Sequence, residues 1–268
     1  MQDIASHKSF FTAFFESFLA REREDAAPLR LKYEHSMRVF AHSERLVGSK
    51  EFADATAGLP PSFLLLERAA LLAALYHDVA RFPQFCRWRT FRDAHSVNHG
   101  LFGVKILKSE AALKEEGPEL RRLVQSALVL HNRYRLPPKL PPDIRLIADT
   151  VRDADKLDIC RVFAMHLVSG EPRSSTVLLS VKDDPELYTP KILEDALARR
   201  VASYADLRSV NDFRVLLGSW QYDLRFAFSR GCLAREGHLQ RLLEDLPPLP
   251  ALCAAREQLL TDLRGAAA

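Results

Sequence analysis

The sequence predicts an all-α protein, on three observations. Apolar residues recur three and four positions apart along nearly the whole chain, alternating Val/Ile/Thr stretches are scarce, and prolines cut the pattern into helix-length segments. The punctuation falls at Pro60 with Pro61, Pro137 with Pro138, Pro141 with Pro142, and Pro247, Pro248 and Pro250.

The first predicted helix covers about residues 6–22, where Phe10, Phe11, Phe14, Phe15, Phe18 and Leu19 return at helical spacing. A second begins near Leu29 and carries Tyr33, His35, Met37, Val39 and His42 towards Leu46. After the Pro60–Pro61 break, Ser62 is placed to cap a helix running through FLLLERAALLAALYHDVARF. Its upper part is apolar on almost every side, which marks a central, buried helix. Shorter helices are expected from about Asn98 to Leu113 and from Glu119 to about Asn132, and a longer one from Pro142 to about Val168. From about Ser169 to Glu186 the chain turns polar and β-branched, and STVLLSV is the sole strand-like run, so a loop or small hairpin is expected there. Helical periodicity returns from Pro190 to Arg264, where Trp220, Tyr222, Phe226 and Phe228 read as helix packing.

Bulk properties limit what such a helical protein does. The 268 residues, 47% hydrophobic and 27% charged, suffice for a sizeable core. A formal charge of only +3, with arginines interrupted by carboxylates, disfavours nucleic acid as the main partner. Cys86, Cys160, Cys232 and Cys253 form no CxxC pair, so a zinc ribbon, a redox motif or a disulfide framework is not expected. The N-terminal apolar stretch lacks a basic region before it, and no apolar run approaches the ~20 residues of a membrane span, so a cytoplasmic protein with no membrane partner is expected.

The chemistry-bearing residues lie in three separated segments: EHSMRVFAHS with His35, LAALYHDVARFPQF with His77 and Asp78, and RDADKLD with Asp153 and Asp155. On a regular helix, neighbours such as His77 and Asp78 diverge by about 100°, so both reach one ion only near a helix end, which Pro83 is expected to supply. Over about residues 30–165 these segments resemble the HD phosphohydrolase superfamily, whose signature is His, then His-Asp, then a distant Asp commonly followed by Lys or Arg. The resemblance implies an HD-domain-like helical bundle over residues 1–168, with residues 169–268 as a helical extension packed on it in one compact unit. It implies a metal held by His35, His77, Asp78 and Asp155, the last chosen over Asp153 because it directly precedes Lys156. Two imidazoles and two carboxylates suit Mn, Fe, Co, Ni, Zn or hydrated Mg, and leave positions for water and a substrate oxygen.

By the same resemblance His99 and His131 are either ligands of a second ion or general acids, and His95 replaces His99 if the register slips. Catalytic roles are thus expected at Asp78, Lys156, His99 and His131. Phosphate contacts are expected among Arg38, Arg81, Arg87, Arg89, Arg133 and Arg135, chiefly at Arg38, Arg81 and Arg133. The implied activity is hydrolysis of a phosphoester or phosphoanhydride by metal-activated water, on a nucleotide or other small phosphorylated molecule. Two alternatives stay open: a two-iron O2-dependent oxygenase, and a sensing module without turnover. The guanosine-polyphosphate hydrolase branch is discounted because Arg81, Phe82 and Pro83 stand where it carries a Glu-Asp pair. The cyclic-dinucleotide branch is discounted because its Gly-Tyr-Pro signature is missing after His99. The sequence leaves the oligomeric state open, a homo-oligomer included.

Overall fold

The computed structural model describes residues 3–22, 24–168 and 181–266. Those residues are all-α with no named strand; Lys182 and Ser209 make an isolated bridge. Most of the expected hairpin segment, 169–180, lies outside the described residues. No helix among the described residues is long and apolar enough to cross a membrane.

By packing the chain divides into two compact units, Met1–Asp155 and Lys156–Ala268. The division falls inside a single long helix, ahead of the expected boundary after residue 168.

In the first unit, α1 (Ile4–Leu19) starts at Asp3, whose carboxylate accepts from the Ser6 N–H, and it buries His7, Phe11 and Phe15. Next, α2 (Ala27–Val47) has Pro28 in its first turn, where the missing N–H costs nothing, and buries Ser36, Val39, Phe40, Ser43 and Leu46 as one stripe with His35 at its edge. A short α3 (Lys50–Thr56), which the periodicity did not announce, is capped by Ser49. As expected, Ser62 caps α4 (Phe63–Tyr76), which packs between α2 and a later helix, α7, and is buried almost continuously from Leu66 onward. Phe11, Tyr33, Tyr76 and Phe82 tie α1, α2, α4 and the following helix together, with ring centroids 5.6–6.0 Å from that of Phe11. Truncating such a buried ring to Ala costs about 3–5 kcal/mol.

The break between α4 and α5 (Arg81–Trp88) corrects one expectation. The expected helix ran on to Phe82, ended by Pro83, but α4 stops at Tyr76 and the chain turns through residues 77–80. Tight i,i+3 bonds make this turn, from Val79 N–H to Tyr76 O and from Arg81 N–H to Asp78 O. Pro83 instead sits in the first turn of α5, a position proline tolerates.

Beyond a single helical turn at Asp93–His95, α6 (His99–Ser109) begins under an Asn98 cap. It packs on α7 (Pro118–His131) so closely that a Cβ at Gly100 would stand 2.3 Å from the Leu128 carbonyl oxygen. That approach sets the start of α6 beside the end of α7. The expected long helix is α8 (Pro142–Val168), which carries Asp155.

The second unit continues with α9 (Pro190–Leu197), α10 (Val210–Ser219), α11 (Ala227–Glu236), α12 (His238–Glu244) and α13 (Pro250–Gly265). The buried α10 opens with a reciprocal cap between Ser209 and Asp212, and it packs on α9, α12 and α13. Trp220 and Phe226 are buried here, in keeping with a packing role.

Candidate metal centre

Each candidate side chain arrives from a position that its helix dictates. His35 comes from the edge of the α2 stripe, His77 from the C-cap of α4, Asp78 from the turn that follows, His99 from the first residue of α6, His131 from the last of α7, and Asp155 from mid-α8. The turn at 77–80 resolves the divergence problem, because leaving the helix lets adjacent His77 and Asp78 face the same space.

These six residues form two groups. In the first, His35 Nε2 lies 3.0 Å from Asp155 Oδ1 and 3.3 Å from His77 Nε2, and His77 Nε2 lies 3.7 Å from Asp155 Oδ1. In the second, His99 Nε2 and His131 Nε2 are 2.9 Å apart, and they stand 3.4 and 3.9 Å from Asp78 Oδ1. The other oxygen of the same carboxylate, Oδ2, is 3.7 Å from both His35 Nε2 and His77 Nε2. Asp78 therefore faces both groups, one oxygen towards each.

The imidazoles are prepared as ligands. His77 Nδ1–H donates to the Ala74 carbonyl (2.8 Å), His131 Nδ1–H to the Leu128 carbonyl (2.7 Å), and His99 Nδ1–H to Asp93 Oδ2 (2.6 Å). These acceptors fix the proton on Nδ1 and leave Nε2 as the bare nitrogen. Burial then holds the rings neutral: it lowers His77 and His99, and with the neighbouring His99 and His77 it pushes His131 down to about 3. The carboxylates are kept ionised. Burial pushes Asp78 up, but Lys32, Arg81 and the histidines outweigh it and hold the group well below the usual carboxylate range. Asp155 is likewise raised by burial and more strongly lowered by the His35 hydrogen bond and the His77 and His35 charges.

The arrangement fits divalent metal. Two bare nitrogens 2.9 Å apart set lone pair against lone pair unless a cation lies between them. Donors held by one ion at ~2.0–2.1 Å stand roughly 3–3.4 Å apart across a right or tetrahedral angle, close to the spacings within these groups. His35, His77 and Asp155, and separately Asp78, His99 and His131, each offer three atoms mutually within 4.8 Å.

Three partners were not foreseen. Lys32 Nζ donates to Asp78 Oδ2 at 2.8 Å; it lies one turn before His35, so the spacing on α2 was an available signal. Asp93 accepts from His99, from Gln84 (3.0 Å), from Arg81 (3.1 Å) and from Asn132 (3.1 Å), making it the hub behind the second group. Asn132 is the third.

Of the other expected residues, Arg81 reaches the two groups. Arg81 donates to Asp78 Oδ1 (3.2 Å), Gln84 (2.8 Å), the Phe91 carbonyl (2.7 Å) and Asp93, so its guanidinium braces the site from within. Arg38 is turned onto Glu34 (3.4 Å), Arg133 is exposed just past α7, and Lys156 is ion-paired with Asp223. Among the arginines of the flanking run, Arg87 stacks on Trp88 and Arg89 pairs with Glu22, while Arg135 lies over Tyr134. Asp153 is buried and His95 exposed, and neither belongs to the two groups.

Residues 33–160 match the family model described as HD domain. Residues 33–160 are thus an HD domain, the domain of the HD metal-dependent phosphohydrolase superfamily, whose members are mostly metal-dependent hydrolases and whose domains bind divalent metals. The matched span includes all six residues of the two groups. Neither the comparison with curated proteins nor that with solved structures gives a match.

Proposed function

We propose that this protein hydrolyses a phosphoester or phosphoanhydride bond, in a nucleotide or another small phosphorylated molecule, at a pair of divalent metal ions. His35, His77 and Asp155 hold one ion, His99 and His131 the other, and Asp78 is shared. The observation that carries this reading is the Asp78 carboxylate, with Oδ2 directed to one histidine pair and Oδ1 to the other. A bound divalent ion supplies a more acidic water and polarises a phosphoryl oxygen.

The chain's own residues do the rest. Among Lys32 and the six residues of the two groups, Lys32 and Asp155 are the most exposed, at 18% and 17%, whereas His77 is fully buried, so substrate enters on the Lys32 side. Lys32, which donates to Asp78 Oδ2, would be free to hold a phosphate oxygen through its ammonium were that carboxylate engaged by a bound ion. Arg81 stays bound to Asp78 and Asp93 and keeps both oriented. Asp93 fixes the His99 tautomer, with the proton on Nδ1 and Nε2 free to bind.

Two facing ligand groups sharing a carboxylate also suit a pair of irons that activates O2. Lys32 and Arg81, both aimed at the centre, favour an anionic substrate and hence the hydrolase. The test is turnover of phosphomonoesters, phosphodiesters and nucleotides by metal-supplemented protein, alongside Asp78→Ala. Hydrolysis by the wild type alone is expected; stoichiometric iron with strictly O2-dependent turnover would establish the oxygenase instead.

A further inference from the structure

A second concavity lies in the first unit, away from the metal ligands. The C-terminal half of α6, the turn after it, α7 and the start of α8 line an open cavity of about 850 Å³. That is within the ~300–1,000 Å³ usual for small-molecule sites. Its wall is largely aliphatic, with Val104, Leu107, Val129, Leu140 and Ile144 among the lining residues.

The polar part of the lining has one sign. Lys108, Lys114, Arg121 and Arg122 all border the cavity, and no acidic residue does. Arg122 is engaged by Asp143, and Lys114 lies 3.9 Å from Glu115. Lys108 and Arg121 make no ion pair among the described residues, Lys108 exposed and Arg121 half-buried. An aliphatic wall beside two uncompensated cations is complementary to an apolar chain ending in an anion.

Lys108 and Arg121 lie toward the opposite ends of α6 and α7 from His99 and His131, although Val129 and Leu130, beside His131 on α7, also line the cavity. Lys108 is nine residues along α6 from His99, roughly 13 Å at the helical rise. None of the six residues of the two ligand groups lines the cavity.

We infer that this cavity binds a single-chain amphiphile with an anionic head, of the fatty-carboxylate class, its chain on the Val104–Ile144 wall and its carboxylate on Lys108 and Arg121. The site is separate from the phosphate-cleaving centre, and its occupancy is read by binding alone, so it stands or falls independently of the proposed activity.

Calorimetric titration of the full-length, metal-loaded chain with monomeric dodecanoate tests this, with dodecanol and dodecyltrimethylammonium as head-group controls. One site per chain is expected, with dodecanol weaker and the cationic amphiphile silent. Lys108→Glu with Arg121→Glu, with circular dichroism confirming that the variant folds, is expected to weaken dodecanoate by about tenfold or more. Val104→Trp fills the cavity and is expected to abolish binding, with circular dichroism confirming that it folds. The inference is overturned if dodecanoate does not bind, or if it binds equally to the charge-reversed variant. It is also overturned if His131→Ala rather than the cavity variants removes binding, which would place the ligand at the metal centre. Dimers that Val104→Trp dissociates would overturn it too, by showing that a second copy of the chain covers the cavity.

Discussion

His99 and His131 point their Nε2 atoms at each other across 2.9 Å, while each ring's Nδ1–H is already committed, to Asp93 and to the Leu128 carbonyl. No rotation relieves the contact without breaking one of those bonds. A cation between the rings turns the repulsion into two coordinate bonds. The pair is therefore suited to hold a cation, in a geometry set by the contact between α6 and α7.

Gly100 is where that contact is made, since any Cβ there would collide with the Leu128 carbonyl oxygen. Gly100→Ala is expected to push α6 off α7 and separate His99 from His131. Metal analysis of the variant should show about one ion fewer per chain, with a folding loss of about 1–3 kcal/mol from overpacking. Unchanged metal content would mean that the close approach does not set the histidine spacing.

Asp93→Asn keeps the size of the side chain but removes the charge that fixes His99. The effect expected is about 10–100-fold weaker metal binding, the usual cost of losing a carboxylate behind a ligating imidazole. Competition with a chelating dye measures it. An affinity equal to that of the wild type would show that Gln84, Arg81 and Asn132 hold the site without the carboxylate.

Lys32 separates substrate handling from metal handling. Lys32→Met retains the packing of the aliphatic stem and removes the ammonium. Metal content should be preserved while kcat/KM falls about 10–100-fold, the value of a charge-assisted bond to phosphate. A variant that loses metal instead would assign Lys32 to the support of Asp78.

Acid should destabilise the metal-free protein. His7, His77, His99 and His131 are all held below the ordinary imidazole value of 6.5, in each case chiefly by burial. Below pH 6.5 the unfolded chain takes up protons that the folded chain refuses, so stability falls with pH, and for His131 the fall continues to about 3. The lowered carboxylates Asp78, Asp93 and Asp155 add a loss of the same sign below their ordinary 3.8. For His131 alone the change from pH 7.5 to pH 5 is about 2 kcal/mol. Thermal unfolding in chelator should show a Tm that drops over this range, and less so in His131→Gln; a flat Tm would mean that the buried rings protonate in place.

How much of this was legible in the sequence depended on periodicity. His35, His77, Asp78 and Asp155 stood out because each belongs to a motif at a readable place in a helical pattern, and α4 announced its burial by being apolar on nearly all sides. The helix α4 ends before the position that Pro83 suggests because proline is equally at home in the first turn of the next helix. Asp93 was invisible for a related reason: it reaches His99 from a single turn in a segment with no repeat. The partner of Lys156, Asp223, lies 67 residues away and no local spacing announces it.

The central claim is that one carboxylate serves two ions, and metal content tests it most directly. Protein loaded with Mn2+ and freed of excess should carry about two ions per chain, with the exchange-coupled electron spin resonance of a close pair. Asp78→Ala should lose that coupling together with most of the metal. Retention of two ions by Asp78→Ala, or a wild-type chain that binds none, would contradict the account.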